Sequence, residues 1–346
     1  GLKRVVNVFR NGKKQLFKVR TTNGNEVVTT IDHKFKRFDS LARLQDVSLD
    51  NIRVGDSVTL FLNKNPIEST CKFNTDIDYI KEQGCTTLNE NVTLPEYLNC
   101  NMSYFLGFYC GNGYTSNNKN TSLSTNSNYS NTISKIVGIT KSLFNIESTI
   151  KYVNGCAIIN TFSRIIVEYM RTNGLLKEKA ENLTVPKCIW ESSSECVVSF
   201  IAGYFDADGY CSNKKSGYTF ASISKKFLSE IQLLLLSIGI PSKLRLRRDA
   251  SGNWKDLYAL TIAGPDFSDK FYYAVEKYSE KAIKKNTSND NSYKFYSFTP
   301  ETLGIRDKYY RKWWTKQSKT ISYSKMKKIS FGSLQNLRFS YLSNFI

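Results

Sequence analysis

Two stretches of this chain, about a hundred positions apart, share one pattern of aromatic, glycine and small residues. Residues 104–114 read YFLGFYCGNGY and residues 200–210 read FIAGYFDADGY. The glycines near their ends, Gly113 and Gly209, are 96 positions apart. Such internal self-similarity indicates two copies of one unit, each of which buries part of its apolar face against the other.

The repeat extends well beyond these two stretches. Residues 98–175 and 193–278 both predict a helix, two strands, a helix, two strands and a final helix, in that order. We therefore expect an α+β fold built from a pseudo-twofold duplicated αββαββα unit. Because both halves lie on one chain, a monomer is the simplest expectation.

The charge of the chain favours a polyanionic partner. It has 346 residues and a net charge of +19, and residues 279–346 alone hold 14 basic and 4 acidic residues. Each lysine or arginine that neutralises a phosphate also releases condensed counterions, which favours association with nucleic acid. The alternative is a protein that is basic without such a partner.

Other classes of protein are disfavoured. No apolar run approaches the roughly 20 residues that span a bilayer, and the first residues have no apolar signal core. We expect an intracellular protein that is neither secreted nor membrane-bound and has no small-molecule substrate. Eight cysteines without a CxxC pair, beside one histidine, favour reduced thiols over structural zinc.

IAGYFDADG, residues 201–209, resembles the signature of the LAGLIDADG homing endonucleases. FLGFYCGNG, residues 105–113, resembles a degenerate first copy. The matching positions are Gly107 and Gly113 in the first copy, and Ala202, Gly203, Asp206, Ala207, Asp208 and Gly209 in the second. The resemblance implies two signature helices side by side at a pseudo-twofold axis. It also implies two four-stranded sheets that form a saddle over double-stranded DNA.

Elementary physical chemistry fits this resemblance. Small residues allow two helix backbones to approach closely, and a glycine ends each helix without a Cβ penalty. A carboxylate at a helix C-terminus is disfavoured by the helix dipole. A divalent cation, Mg²⁺ or Mn²⁺, relieves that cost and can activate water against a phosphodiester.

The resemblance assigns the metal-binding, catalytic carboxylate to Asp208 in the second copy and places Asn112 at the equivalent position of the first. Asn112 offers a cation a neutral oxygen without charge. Asp206 is expected to support the helix ends. The family's basic residue on a hairpin strand maps to Lys255 in the second half, and Ala157 takes its place in the first. With acid and base both missing from one half, we expect nicking or slow cleavage.

Two basic segments are candidate DNA contacts. In KLRLRR, residues 243–248, alternation puts Lys243, Arg245 and Arg247 on one face of a strand. Residues 307–328 interleave aromatic with basic residues, and the candidate contacts there are Arg311, Lys312 and Lys316. The alternatives are a solvated basic strand in the first case and a small helical core around Trp313 and Trp314 in the second.

Residues 1–62 predict a β domain, in which VVNVF, QLFKVRT and EVVTTI are strands joined by NGK and NGN turns. TTNGNEVVTTIDHKF resembles block B of inteins and related Hint domains, with Thr30 and His33 as vestigial splicing residues. No cysteine precedes Cys71, and the chain ends in YLSNFI without His-Asn. We expect no splicing by this chain itself. Either the splicing half has decayed or its missing pieces lie elsewhere; His33 could equally be an ordinary strand-end residue.

These observations divide the chain into a partial Hint-like domain (1–62), a linker or excursion (63–97), a LAGLIDADG domain (98–278) and a basic extension (279–346). The resemblance implies a site-specific endonuclease that hydrolyses phosphodiester bonds with Mg²⁺. The alternatives are a catalytically inactive, domesticated DNA-binding protein and, with weaker support, an RNA-binding splicing helper.

Overall fold

A computed structural model describes most of the chain up to residue 282. Arg311, Lys312, Lys316 and the two tryptophans beside them lie outside the described residues. The described ranges are 4–9, 12–38, 44–56, 58–60, 70–76, 91–116, 119–177, 179–211, 217–248, 255–263 and 265–282.

The N-terminal region consists of two antiparallel hairpins. Their strands are β1 (Leu16–Arg20), β2 (Glu26–Thr30), β3 (Lys34–Phe38) and β4 (Leu44–Ser48). The β1–β2 turn contains Gly24 at φ +90°, a conformation that glycine adopts without strain. The prediction of a strand over VVNVF was wrong. Residues 5–9 are irregular, because in the described part of the chain no strand pairs with them.

The first half-repeat contains seven elements in the predicted order. They are α1 (Cys100–Asn112), β5 (Gly113–Ser116), β6 (Asn120–Asn126), α2 (Ser130–Phe144), β7 (Thr149–Val153), β8 (Cys156–Phe162) and α3 (Arg164–Thr172). The helix predicted from Pro95 begins only at Cys100. It does so because the Asn99 side chain caps it, accepting a hydrogen bond of 2.8 Å from the backbone N–H of Met102.

The second half-repeat repeats this order after a short helix, α4 (Lys187–Trp190). Its elements are α5 (Ser194–Asp208), β9 (Gly209–Cys211), β10 (Gly217–Ser222), α6 (Lys225–Ser237), β11 (Lys243–Arg248), β12 (Leu257–Ala263) and α7 (Pro265–Val275). The two sheets have matching strand orders, β5-β6-β8-β7 and β9-β10-β12-β11, and every pairing is antiparallel. The predicted duplication of the αββαββα unit is therefore confirmed.

The two signature helices, α1 and α5, touch through their backbones. A Cβ atom built on Gly107 would collide with the carbonyl oxygen of Phe200, and one built on Gly203 would collide with that of Tyr104. These two collisions are related by the same 96-residue offset as the sequence repeat. One turn further on, the Cα of Gly111 faces the methyl group of Ala207. The helices consequently run side by side to a common C-terminal end.

Aromatic side chains fill the space behind each signature helix. In the second half, Phe205 packs edge-on against Tyr218, Phe220 and Phe271, with ring centroids 5.4 to 5.7 Å apart. In the first half, Phe105 packs against Phe144 in the same manner. Each fully buried aromatic contributes about 2–3 kcal/mol. The cluster around Phe205 therefore holds the second sheet on its helices, and the contact of Phe105 with Phe144 holds α1 against α2.

The N-terminal hairpin β1–β2 is docked on the second half. Its turn presents the carbonyl oxygen of Asn23, which accepts hydrogen bonds from the backbone N–H of Leu244 at 2.9 Å and from the Gln232 amide at 3.0 Å. The Glu26 carboxylate pairs with Lys225 at 2.7 Å. The hairpin thus satisfies part of the backbone of β11, the edge strand of its sheet.

The longest helices of the described chain, α2 and α5, have 15 residues each. Among the described residues, no helix has both the length and the apolar character required to cross a membrane.

Candidate active site at the ends of the signature helices

The C-terminal ends of α1 and α5 form one polar cluster. Gly113 and Gly209 end the two helices in extended conformation. The Asn112 amide donates a hydrogen bond of 3.2 Å across the axis to the carbonyl oxygen of Ala207. A Cβ atom on Gly111 would lie 3.2 Å from a carboxylate oxygen of Asp208. The structure therefore brings both predicted site residues, Asp208 and Asn112, to the same junction.

Two lysines cap these helix ends in matching positions. Lys177 donates 2.7 Å to the carbonyl oxygen of Gly111, and Lys281 donates 3.1 Å to that of Ala207. Gly111 and Ala207 are separated by the same 96 positions as Gly113 and Gly209. The ammonium groups satisfy carbonyls that a helix end leaves unpaired, and they complement the negative end of each dipole.

The Asp208 carboxylate shares its surroundings with both ammonium groups. Burial raises its pKa, whereas the positive charges of Lys177 and Lys281 lower it and so oppose part of that rise. Burial in turn lowers the pKa of both lysines. With Asn112 neutral, this cluster combines one carboxylate with two ammonium groups.

Lys255, predicted as the basic residue of the second half, lies in a different environment. It precedes β12 and forms an ion pair with Glu181, and its side chain is largely exposed. Ala157, its predicted counterpart, is fully buried on β8. The lysines whose charges act on Asp208 are instead Lys177 and Lys281. The first half thus has a lysine, Lys177, at its helix end, although not on the hairpin strand, where Ala157 lies.

Sequence reasoning missed these two lysines, although the chain carries a signal for them. Lys177 follows the end of α3 at Thr172, and Lys281 follows the end of α7 at Val275, by five and six residues. Each is therefore one of two lysines in the segment that leaves the last helix of its repeat, beside Lys179 and Lys277 respectively. Extending the repeat beyond those helices would have pointed to these two segments.

Asp206 is fully buried. Its carboxylate accepts hydrogen bonds from the Tyr104 hydroxyl at 2.7 Å, the Ser279 hydroxyl at 2.5 Å, and the backbone N–H groups of Glu280 and Lys281 at 2.7 and 3.1 Å. Burial raises its pKa, and these hydrogen bonds oppose the rise. Asp206 therefore fixes the turn that carries Lys281.

The first half replaces this carboxylate with Cys110. The thiol is buried, which raises its pKa to about 12, so it is a neutral packing group. Here the Tyr109 hydroxyl accepts a hydrogen bond of 3.4 Å from the backbone N–H of Lys177. The two halves consequently hold equivalent lysines by different means.

The turn after α7 also contacts the first half. Lys135 on α2 donates to the carbonyl oxygen of Tyr278 and pairs with Glu280 at 3.2 Å. The ammonium group of Lys281 lies 5.3 Å from the centre of the Tyr129 ring. One short segment, residues 276–282, therefore joins the two half-repeats beside the site.

The side chains at the helix ends can bind a divalent cation only together with further ligands from a substrate. Asp208 supplies one carboxylate, and Asn112 keeps its side-chain oxygen available because its amide nitrogen makes the bond to Ala207. Among the described residues, no group of three or more histidine, cysteine or acidic side chains could hold a metal ion. Mg²⁺ commonly uses one or two carboxylates together with substrate phosphates, and this cluster suits that arrangement.

The two sheets present different chemistry on their outer faces. In the second half, the side chains of Lys243, Arg245 and Arg247 are exposed, and the Arg247 guanidinium lies 5.4 Å from the centre of the Tyr210 ring. Leu244 faces the core, as the alternation predicts, while Leu246 is 43% exposed because the strand pairing shifts after it. This face is strongly basic.

The outer face of the first sheet is mostly neutral and polar. The Ser122 side chain is fully buried there, where it donates to the half-buried Asn160 side chain at 2.7 Å and accepts a hydrogen bond of 2.9 Å from half-buried Asn120. Lys151 is exposed on the neighbouring strand β7. Amide and hydroxyl groups of this kind are suited to hydrogen bonds with base edges, whereas arginine and lysine are suited to phosphates.

Thr30 and His33 lie at the end of β2 and in the turn that follows it. The His33 ring is exposed and contacts Phe35 edge-on, with the ring centroids 5.1 Å apart. Its carbonyl oxygen accepts a hydrogen bond of 3.0 Å from the backbone N–H of Leu49. This bond continues the β3–β4 pairing by one step beyond Lys34 and Ser48.

Comparison with known proteins shows that this chain is similar to one domain family and to parts of larger proteins. A probable translation initiation factor IF-2 from Thermococcus kodakarensis is 31% identical over 157 residues, 42% of this chain and 13% of that protein. A glutamine–fructose-6-phosphate aminotransferase from Methanocaldococcus jannaschii is 30% identical over 125 residues, 36% of this chain and 11% of that protein. The chain thus spans less than a sixth of either relative.

A solved structure of mesophilic variants of the homing endonuclease I-DmoI is similar at a TM-score of 0.40 and 16% identity, over 51% of this chain and 96% of that chain. The family model of the LAGLIDADG-like domain matches residues 195–276. That range runs from the first turn of α5 to just after α7, the whole second half-repeat described above. The second half of this duplicated fold is therefore similar to the LAGLIDADG-like domain.

Proposed function

We propose that this protein binds duplex DNA across its two sheets and hydrolyses a phosphodiester bond in one strand. The observation that carries the proposal is the cluster at the signature helix ends, where Lys177 and Lys281 bind the helix-end carbonyls beside Asp208. The net charge of +19 and the basic face of β11 support a long polyanionic substrate.

Asp208 and the side-chain oxygen of Asn112 would hold Mg²⁺ or Mn²⁺ together with phosphate oxygens of the DNA. A bound divalent ion supplies activation of water and stabilisation of the leaving oxygen. The ammonium group of Lys281 stabilises negative charge that develops on the phosphate, in a setting where burial strengthens the interaction. Asp206 holds Lys281 in place through the turn at 279–281.

Cleavage of one strand rather than two follows from the difference between the halves. The second half offers Asp208 with Lys281, whereas the first offers Asn112 with Lys177. A neutral amide oxygen holds a divalent cation far less strongly than a carboxylate. We therefore assign hydrolysis to the strand next to Asp208.

The proposal is tested with the full chain and an unbiased DNA substrate. Duplexes with randomised inserts are selected for binding in Ca²⁺, cloned into supercoiled plasmid and incubated with Mg²⁺ or Mn²⁺. We expect nicked circles from the wild type and none from Asp208→Asn, whose binding in Ca²⁺ should stay within a few-fold of wild type. Rapid linear product without a nicked intermediate would contradict the assignment to one strand.

The second candidate is a DNA-binding protein without hydrolytic activity. It is favoured by the excess of ammonium groups over carboxylates at the helix ends, which suits a phosphate better than a free cation. Tight, selective binding by the wild type without any strand breakage in Mg²⁺ or Mn²⁺ would establish this candidate in place of the endonuclease. Competition with structured RNA distinguishes both DNA-binding candidates from an RNA-binding splicing helper, because only the helper would prefer the RNA.

We further propose that the chain derives from an intein whose splicing activity it has lost, and that it acts as a monomer wherever its target DNA resides. The support is that an initiation factor and an aminotransferase, unrelated by their names, each match part of this chain over a small part of their own length. A segment shared in this way suggests an inserted element rather than a host activity. Incubation of the chain fused to flanking reporter domains tests for splicing, and ligated reporters would contradict the proposal.

A further inference from the structure

We propose that Cys100 and Cys196 form a dithiol site at the N-terminal ends of the two signature helices, where a small organic disulfide oxidises them to one disulfide bond. This bond would join the two half-repeats covalently. The inference is independent of the proposed nuclease function. The site lies at the opposite end of α1 and α5 from Asp208, and its reaction requires neither DNA nor a metal ion.

The two cysteines occupy equivalent positions of the duplicated unit. Cys100 is the first residue of α1 and Cys196 is the third residue of α5, and they are separated by the same 96 positions as the rest of the repeat. Each cysteine precedes the contact glycine of its own helix, Gly107 or Gly203, by seven residues. Seven residues are about two helical turns, so each cysteine lies on the face of its helix that touches the other helix.

The first turn of α5 contacts the first residue of α1. The Ser199 hydroxyl, one turn after Cys196, donates a hydrogen bond of 2.6 Å to the carbonyl oxygen of Cys100. The two thiols also interact with each other. Burial is the largest cause of the raised pKa of Cys100, and the Cys196 thiol raises this pKa further. A disulfide requires Cα atoms within about 7 Å of each other, a separation that facing residues reach where two helix backbones are in contact.

The two thiols differ in exposure, and this difference sets the order in which they react. Cys100 is partly exposed, whereas Cys196 is buried. The Tyr278 hydroxyl donates a hydrogen bond of 3.6 Å to the Sγ atom of Cys100. Both this hydrogen bond and the N-terminal end of α1 favour the thiolate form of Cys100. A dissolved disulfide therefore reacts first with Cys100.

The oxidation consists of two exchange steps. The Cys100 thiolate attacks one sulfur of the small disulfide, which forms a mixed disulfide and releases one small thiolate. The Cys196 thiolate then attacks the Sγ atom of Cys100, which closes the protein disulfide and releases the second small thiolate. In sum, the two protein thiols lose two protons and two electrons, and the small disulfide takes them up and becomes two thiols.

Peptide mapping of the full chain tests the proposal, with glutathione disulfide as the oxidant. The reduced protein is incubated with it at mildly alkaline pH, the remaining thiols are alkylated, and the chain is digested without reduction. We expect mass spectrometry to find a peptide pair linked through Cys100 and Cys196. A link between other cysteines in its place, such as Cys71 with Cys188, would overturn the proposal. Glutathione adducts without any protein disulfide would overturn it as well.

Thermal unfolding gives a second readout. A bond that closes a loop of about a hundred residues restricts the unfolded chain, so the oxidised wild type should unfold about 10 °C above the reduced protein. Cys196→Ala should stop at the glutathione adduct of Cys100 and show no upward shift. Cys156→Ala, which removes an exposed cysteine outside the pair, should shift like the wild type. An upward shift retained by Cys196→Ala would contradict the proposal.

Reduction of the oxidised wild type requires no substitution at a buried position. Dithiothreitol should remove the linked peptide pair and return the unfolding temperature to that of the reduced protein. A shift that persists in dithiothreitol would mean that another change stabilises the oxidised sample, and would overturn the assignment to these two cysteines.

Discussion

At the scale of single residues, the packing of α1 on α5 requires glycines at the points where the two helix backbones touch. Gly107 and Gly203 lie where the carbonyl oxygens of Phe200 and Tyr104 approach the facing helix. The sequence shows such contact positions only as small residues, of which Ala202 and Gly203 are the clearest. That two backbones actually touch there is a property of the packed pair.

Replacing Gly107 or Gly203 with alanine should destabilise the protein by about 3 kcal/mol or more. The added methyl group meets a main-chain carbonyl that cannot move without separating α1 from α5. Urea unfolding of each variant at neutral pH measures the change.

Gly138→Ala is the matched control, because Gly138 is an exposed helical glycine whose added Cβ would have no neighbour within 4 Å. It should stabilise α2 by about 0.5–1 kcal/mol, through the lower entropy of the unfolded chain. Gly107→Ala with a stability near that of wild type would mean that the helices are further apart than described.

At the scale of elements, the N-terminal hairpin is held to the second half by one carboxylate and a few backbone contacts. Hydrogen bonds from Lys18 and Lys225 lower the pKa of Glu26 to about 2, against an ordinary value of 4.5. Since the folded-state pKa is below the unfolded one, the stabilisation is present above about pH 4.5 and fades as the pH falls towards 2.

Glu26→Gln should therefore lower the free energy of unfolding by about 1 kcal/mol at pH 7, and this difference should shrink as the pH approaches 2. The backbone N–H of Leu244, bonded to Asn23 in the docked turn, should exchange faster with solvent in the variant. Glu147→Gln, which removes an exposed pair with Lys141, provides the comparison. Equal unfolding curves for Glu26→Gln and Glu147→Gln at pH 7 would exclude a role for Glu26 in docking.

The order and type of the repeat elements could be predicted because several helices have a capping residue and several strands alternate clearly. Ser163 and Ser224 cap α3 and α6, and alternation defines β8 and β12. Residues 5–9 have the composition of a strand, but a strand also needs a partner, which sequence does not supply. Lys255 was predicted because it is a basic residue on a hairpin. The lysines whose charges act on Asp208 lie instead in the segments after α3 and α7.

At the scale of the whole molecule, the two outer sheet faces differ in the charge of their side chains. The second half has a basic face at Lys243, Arg245 and Arg247, and the first has serine, asparagine and threonine side chains with Lys151. Phosphate contacts make affinity depend on salt, whereas contacts to base edges make it depend on sequence. We expect the two halves to contribute these two properties unequally.

Arg245→Ala with Arg247→Ala should weaken binding to all duplexes alike and reduce the slope of log affinity against log salt by about 1 for each phosphate that is no longer neutralised. Asn160→Ala on the first face should leave that slope unchanged and relax sequence preference. Lys187→Ala, on α4, controls for a change in net charge. The affinities are measured by fluorescence anisotropy between about 50 and 200 mM salt. This range of about fourfold is wide enough to determine the slopes. A slope that is the same in the double arginine variant would place the DNA elsewhere.

The buried carboxylate of Asp206 has a consequence for how the chain matures during synthesis. Three of its four hydrogen-bond donors belong to residues 279–281, which leave the ribosome some seventy residues after it. Until then, α5 can pack on α1 only by enclosing a carboxylate whose sole protein partner is Tyr104. The junction of the two halves should therefore be the last part of the saddle to close. In truncated chains that stop before Ser279, we expect the helices to form but α1 and α5 not to pack against each other at their C-terminal ends.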